Sequence, residues 1–443
     1  MTSAPTGTGS SPPASQRWWI YACVAGIVVI AFALRVAWIS HAGFAPGSYD
    51  DTDTGAYDSL GRALAAGAGY NNPDGTAHLL WPPGYPMILA VIYKATGDSL
   101  RAALLWNATL GALTAALTYA IGRRAFDGRT ALLGALVVAL FPSLIFFAGV
   151  TMTEVSFTFC LLAALWLLIE SEAAGARWLL IPAGLIIGFA SLTRGQAILL
   201  PLVAIPFWWR SIGSWRGALT RAAAVALLAV LVVAPWSARN LVRTGSFVPI
   251  AANFGIDLYL GHSAHADGGL IFTDDFTYPP GLSQQDVQVR MNRDAGRAAI
   301  EYAATHPLRE VELSARKLYR LYYRDQEGLA WNHRHGARPV LSKHLYARLA
   351  RMSDFWYWLV LAWAVFGVRA WLSTREPARL LLLSVVIYWT LVHIAFFGDP
   401  RFHAPIVPIL ALWAAAGVMA HLAPSVKIHA RAAPIRSGRP SVP

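Results

Sequence analysis

The sequence predicts an all-α polytopic membrane protein: a bundle of about ten transmembrane helices with one large polar insertion. Three observations lead there. Only 14% of the 443 residues are charged and 56% are hydrophobic, where soluble domains carry about a quarter charged residues. Apolar runs recur at the length, about 20 residues, that crosses a bilayer as helix. The loops assigned to one side are all arginine-rich and the first loop on the other side is acidic, in keeping with the positive-inside rule.

Taken in order, the apolar runs are 18–39, 100–121, 130–149, 153–169, 178–192, 196–209, 218–236, 354–372, 379–397 and 402–422. With a cytoplasmic N-terminus, the inside loops hold Arg123, Arg124 and Arg129, then Arg177, then Arg210, Arg216 and Arg221, then Arg369, Arg375 and Arg379. The first outside loop, 40–99, is acidic, with Asp50, Asp51, Asp53, Asp58, Asp74 and Asp98. An even number of spans puts both termini inside, so the expected location is the cell membrane with both ends cytoplasmic. The formal charge of +12 is thereby read as membrane topology, and no nucleic-acid partner is expected.

The expected organisation follows. Residues 1–17 are rich in Ser, Pro, Thr and Gly and are read as a disordered cytoplasmic end. The first run is too long for a cleavable leader. Residues 18–236 form the main membrane domain, including the outside loop 40–99 with a helix near 54–67 and a re-entrant or interfacial helix near 85–95. Residues 237–353 form an extracytoplasmic polar region with helices at 284–305 and from 308 to about 323, separated by Pro307. Residues 354–422 return to the membrane, and 423–443 form a basic cytoplasmic tail near lipid. Cys23 and Cys160 lie inside apolar runs and give neither a disulfide framework nor metal spacing. Arg35 and Lys94 are expected to snorkel to the interface.

Polar residues gather at one depth, beside the outer face. They are Asp50, Asp51 and Asp53; Thr153 and Glu154; Thr193 and Arg194; Trp236, Arg239 and Asn240; Asn253; and Asp399 and Arg401. Ionisable groups near a bilayer are costly, so such a cluster implies a water-filled site. A carboxylate there can act as general base toward a hydroxyl, and arginine suits phosphate through paired charge-assisted hydrogen bonds. Together they fit group transfer from a lipid-linked phosphate. The three neighbouring aspartates offer oxygen ligands to a divalent cation as an alternative, and Asp53 stands where it can simply cap a helix.

Asp53-Thr54-Gly55-Ala56-Tyr57, just after the first span, resembles the Asp-x-x-x-Tyr signature of GT-C fold glycosyltransferases, in particular the protein O-mannosyltransferase-like (family 39) and aminoarabinose-transferase-like enzymes. Further resemblances follow in family order: Trp81-Pro82-Pro83-Gly84-Tyr85-Pro86, Thr153-Glu154, Leu192-Thr193-Arg194, Pro235 to Asn240, and Gly398-Asp399-Pro400-Arg401-Phe402. The resemblance implies a polyprenyl-phosphate-linked sugar donor and a glycan, lipid or protein acceptor. It implies Asp53 as the catalytic carboxylate, with Asp51 and Asp50 as the alternative candidates beside it, and Glu154 as a second acid. Arg239 and Arg401 would face the donor phosphate, and Tyr57, Arg194, Asn253 and Asp50 would contact substrate. Where some aminoarabinose transferases carry a basic residue before the double proline, this chain has Trp81. Two rival readings remain: a lipid-linked-sugar transporter or flippase, and a non-catalytic membrane subunit of an envelope assembly.

Overall fold

The computed structural model describes residues 14–42, 53–271, 273–334, 341–374 and 376–422. Helix α1 (Ala14–Ala42) leads to two short helices at one end of the bundle, α2 (Asp53–Ala65) and α3 (Gly84–Thr96). The bundle continues through α4 (Leu100–Ala125), α5 (Gly128–Leu140) and its bent continuation α6 (Pro142–Phe146), α7 (Thr153–Ala173), α8 (Leu180–Thr193), the broken pair α9 (Leu200–Val203) and α10 (Ile205–Ile212), and α11 (Trp215–Thr244). The polar stretch contributes α12 (Phe254–Gly261), α13 (Gln284–Thr305), α14 (Pro307–Tyr322) and α15 (Glu327–Arg334). Helices α16 (Lys343–Thr374), α17 (Pro377–Ala395) and α18 (Val407–Leu422) complete the bundle. No β-strand occurs among the described residues.

Local chemistry sets many helix starts. The side chains of Ser99, Ser214 and Ser283 each accept a hydrogen bond from a first-turn N–H of the helix that follows, and Asp127 accepts two. Such caps satisfy donors that the helix itself leaves unpaired.

All ten expected spans fall on helical backbone. Among the described residues, six helices are long and apolar enough to cross a membrane, and a seventh if the bent pair at 128–149 counts as one crossing. The stretch 177–193 is a shorter apolar helix, and 195–212 is broken into pieces. The chain is therefore multi-pass, and length and composition alone do not fix the number at ten. Helices α7 and α18 form the inside of the bundle, buried over 78% and 72% of their apolar windows, whereas α1 and α11 are 28% buried. The outward apolar faces of α1 and α11 are what lipid would cover. Helix α8 lies against α11 along Gly184 and Gly188, spaced by three residues, where the backbones approach closely.

Arg35 does not snorkel. It is 1% exposed and turns into the bundle. Its Nη1 donates to the carbonyls of Ala31 (2.9 Å) and Ala139 (3.3 Å), and its Nη2 to that of Val138 (3.4 Å). The reason lies in the sequence of α5. Pro142 has no N–H to give to the Val138 carbonyl, so the helix breaks and bends by 55° there. Arg35 adds donors to two carbonyls at that break, Ala139 and Val138, the second of which also accepts the Phe141 N–H at 3.4 Å.

Gly188→Leu tests the α8–α11 contact. A Cβ at Gly188 would stand 2.6 Å from the Val232 side chain and 2.7 Å from the Ala229 carbonyl. The variant is expected to lose about 1–3 kcal/mol through overpacking. This reads out as a lower melting temperature in detergent; an unchanged melting temperature would mean the two helices separate freely.

Candidate active site

Four charged side chains from four separate elements meet at one end of the bundle. Asp53, in the first turn of α2, pairs through Oδ2 with Arg401 Nη1 at 2.7 Å. Arg401 Nε lies 3.4 Å from Glu154 Oε1, at the start of α7. The same Glu154 oxygen accepts from Arg194 Nη2 at 2.5 Å, from the residue that ends α8. Arg194 Nε also bonds Thr153 Oγ1 at 2.9 Å. Glu154 is 1% exposed, so its charge depends on these partners. Phe402 lies under both guanidinium groups, 5.0 Å from Arg401 and 5.4 Å from Arg194.

Asp53 is held from its other oxygen by Trp81, whose Nε1 donates to Oδ1 at 3.3 Å. Burial pushes the Asp53 carboxyl up. The charge and hydrogen bond of Arg401, the Trp81 hydrogen bond and the charge of Arg194 outweigh it, so the carboxyl rests below its ordinary value. Tyr57, one turn along, is buried edge-on to Tyr85 at 5.6 Å. Burial first, then the Asp53 charge, raise its hydroxyl, so it stays a neutral phenol.

The platform under Asp53 is the α2–α3 pair. Asp58 bonds Arg62 (2.8 Å) and the Tyr93 hydroxyl, and Arg62 lies over the Tyr93 ring at 4.5 Å. Helix α3 in turn sits on the end of α8. Gly84 permits this, because a Cβ there would stand 2.6 Å from Thr193 Oγ1 and 2.8 Å from the Leu192 carbonyl. The Pro-Pro-Gly segment thus places α2 beside Arg194. On the opposite side, the 3₁₀ turn Pro400–Ile406 carries Arg401. Asp399 accepts from the Arg401 N–H (2.8 Å), Trp389 Nε1 donates to the Phe402 carbonyl (2.6 Å), and His403 bonds the Leu321 carbonyl (2.8 Å) and Asp325 (3.1 Å). His393 is packed between Trp389 and Phe402.

Arg401 also faces a cavity of about 200 Å³, lined with it by Arg324, Glu327, Asp399 and Trp331. Arg324 Nη2 pairs with Glu327 at 2.7 Å. Two arginines, two carboxylates and an indole line one polar space of a size for a small substrate group.

Not every expected residue joins this site. Arg239 does not: its guanidinium bonds the carbonyls of Tyr70 (2.5 Å) and His78 (3.3 Å) and Asn240 Oδ1 (2.9 Å), and lies over Trp236 at 4.7 Å. It holds a loop. That loop stacks His78 on Trp81 (5.2 Å, 11°), so Arg239 reaches Asp53 only through Trp81. Asn253 precedes α12, its backbone carbonyl accepting from the Asp257 N–H at 2.7 Å. Asp50 and Asp51 lie outside the described residues. No group of three or more His, Cys, Asp or Glu side chains among the described residues is arranged to hold a metal ion, and Asp53 is already committed to Arg401 and Trp81.

A family model described as dolichyl-phosphate-mannose-protein mannosyltransferase matches residues 81–238, the stretch from Trp81 to Ala238. Similar solved structures include the apo oligosaccharyltransferase of Archaeoglobus fulgidus (TM-score 0.57, 15% identity), covering 92% of this chain and 51% of that one. The same organism's AglB with an inhibitory peptide and a dolichol-phosphate gives 0.54 and 14%, covering 91% and 50%. ArnT from Cupriavidus metallidurans bound to undecaprenyl phosphate gives 0.53 and 17%, covering 90% and 60%.

The fold is GT-C.

The chain spans about half the length of the archaeal structures it matches. No curated protein matches it in sequence. Within this GT-C bundle one acid escaped the sequence reading. Asp257, half-buried on α12, stands close enough to feel the charges of Asp53 and Arg401. Burial first, then Asp53, push its carboxyl up to about 7, with Arg401 opposing. Its signal was a lone carboxylate in the apolar run Phe254 to Gly261.

Two outcomes check this geometry. A raised folded-state pKa means Asp257 favours folding less as pH climbs from 3.8 through about 7. Asp257→Asn should therefore lose less melting temperature than the unsubstituted chain between pH 6 and pH 8; equal slopes would refute the shift. Arg239→Ala should speed hydrogen exchange across 70–81 while leaving exchange in α7 unchanged.

Proposed function

We propose that this chain is a membrane glycosyltransferase that moves a sugar from a polyprenyl-phosphate donor to an acceptor hydroxyl. The observation that carries the reading is the Asp53–Arg401–Glu154–Arg194 network opening onto the cavity shared by Arg401 and Arg324. The relatives' bound dolichol-phosphate and undecaprenyl phosphate support a lipid-linked donor. The charge of the loops supports an extracytoplasmic site, with residues 237–353 as its cover and both termini in the cytoplasm.

In this reading the donor phosphate enters the cavity and takes hydrogen bonds from Arg401 and Arg324. Arg239 is reassigned from the phosphate to positioning Trp81. A phosphate that competes for Arg401 loosens its pair with Asp53 and restores that carboxylate's basicity. Asp53 then accepts the proton of the acceptor hydroxyl as its oxygen bonds to the anomeric carbon. The bond from that carbon to the phosphate oxygen breaks, and the electron pair leaves with the polyprenyl phosphate, whose charge the arginines stabilise. Glu154 keeps Arg194 and Arg401 aimed. Asp257 offers a second reading as the base, favoured by a carboxyl poised near neutral pH.

The test is transfer by purified protein in nanodiscs, with a panel of polyprenyl-phosphate sugars. Asp53→Asn is expected to lower turnover by about a hundredfold or more at similar donor affinity, and Asp257→Asn by far less; the reverse order makes Asp257 the base. A folded protein that neither transfers nor hydrolyses any donor would sink the enzyme reading, and lipid-linked-sugar transport unaffected by Asp53→Asn would favour a transporter. Lys94→Cys should label with an impermeant reagent from outside intact cells; labelling only after lysis would invert the topology.

A further inference from the structure

Two charged side chains inside the bundle each carry one buried polar atom without a protein partner. Glu154 uses Oε1 for Arg194 and Arg401, and its Oε2 has none. Arg35 uses Nη1 and Nη2 for backbone carbonyls, and its Nε has none. Both residues are 1% exposed. Both line the same small interior cavity, of about 10 Å³, with Gly111, Thr114 and Thr158. That volume is about one water, which needs two to four polar partners.

The hydrogen-bonding capacities are complementary. Thr114 gives its hydroxyl proton to the Leu110 carbonyl (2.8 Å) and Thr158 gives its own to the Glu154 carbonyl (2.6 Å). Both hydroxyls are left as acceptors. The cavity wall therefore offers one N–H donor, Arg35 Nε, and acceptors led by Glu154 Oε2. A water accepts from the first and donates to the others. Gly111 makes the room: a Cβ there would stand 2.3 Å from Arg35 Nε.

We propose that Arg35 is a positioning residue for the active site, acting on Glu154 through one buried water between Arg35 Nε and Glu154 Oε2. The water satisfies both orphaned atoms, Arg35 Nε and Glu154 Oε2. A Glu154 carboxyl fixed in this way in turn holds Arg194 and Arg401. The same side chain that bonds the carbonyls at the break in α5 therefore also positions Glu154, one layer away in the bundle. Its effect on lipid-phosphate binding rests on the donor reading above; its link to Glu154 does not.

A double-mutant cycle separates this role from capping alone. Arg35→Met, Glu154→Gln and the double variant are compared for melting temperature in detergent and for undecaprenyl-phosphate affinity by tryptophan fluorescence. Each single variant is expected to bind roughly tenfold more weakly, and the double variant no worse than either. Gly111→Ala, which displaces the guanidinium, should give a similar loss and covers the case in which Arg35→Met does not fold. A density map of the unsubstituted protein with ordered waters should show a peak between Arg35 Nε and Glu154 Oε2. An empty cavity in that map, or losses in melting temperature that simply add in the double variant, would overturn the proposal. If the unsubstituted protein does not bind undecaprenyl phosphate, the donor reading fails while the map and the melting-temperature cycle still decide the role of Arg35.

Discussion

The pairing of Asp53 with Arg401 joins two parts of the chain nearly 350 residues apart. One lies on the short helix after the first span, the other on the turn before the last. Arg401 is 12% exposed and Asp53 32%, so the pair is only partly withdrawn from water, and good geometry offsets the cost of that withdrawal. The surrounding structure supplies that geometry. The α2–α3 pair sits on the end of α8, Trp81 holds the second Asp53 oxygen, and Asp399, Trp389 and His403 hold the turn that carries Arg401. A buried network of this kind adds little to stability; its value lies in a fixed arrangement of charge beside a cavity.

The same constraint runs inward. Glu154 begins α7, so its carboxylate lies where the helix dipole favours negative charge. Two arginines share one of its oxygens, and the cavity with Arg35 lies behind it. The break at Pro142 is what draws Arg35 to this depth. A backbone irregularity in one helix and the position of a site residue in another are thus linked by a single side chain.

Much of the site was legible in the sequence because charge is conspicuous beside a membrane. Asp53, Glu154, Arg194 and Arg401 stand out on that ground and meet in space. Arg239 stood out equally, but the position of a guanidinium along the chain does not say which acceptor it reaches; here it finds the carbonyls of Tyr70 and His78. Arg35 was misread for the matching reason. A lone arginine in an apolar run looks like a snorkelling anchor until the carbonyls at the break in a neighbouring helix are seen. Asp257 went unnoticed among apolar residues because its importance comes from Asp53 and Arg401 nearby, not from any motif around it.

By itself the sequence determined the membrane class, the helical stretches and the insertion helices at 284–305 and from 308 to about 323. Each of these follows from local composition and periodicity. It did not determine the number of crossings, since short and broken apolar stretches do not meet a length criterion on their own. The tertiary structure alone decided which polar groups became partners. It paired Asp53 with Arg401, gave Arg239 to a loop, opened the cavity between Arg324 and Arg401, and turned Arg35 toward Glu154. Hydrogen bonds and ion pairs act over about 3 Å, a scale on which order along a chain carries almost no information about distance.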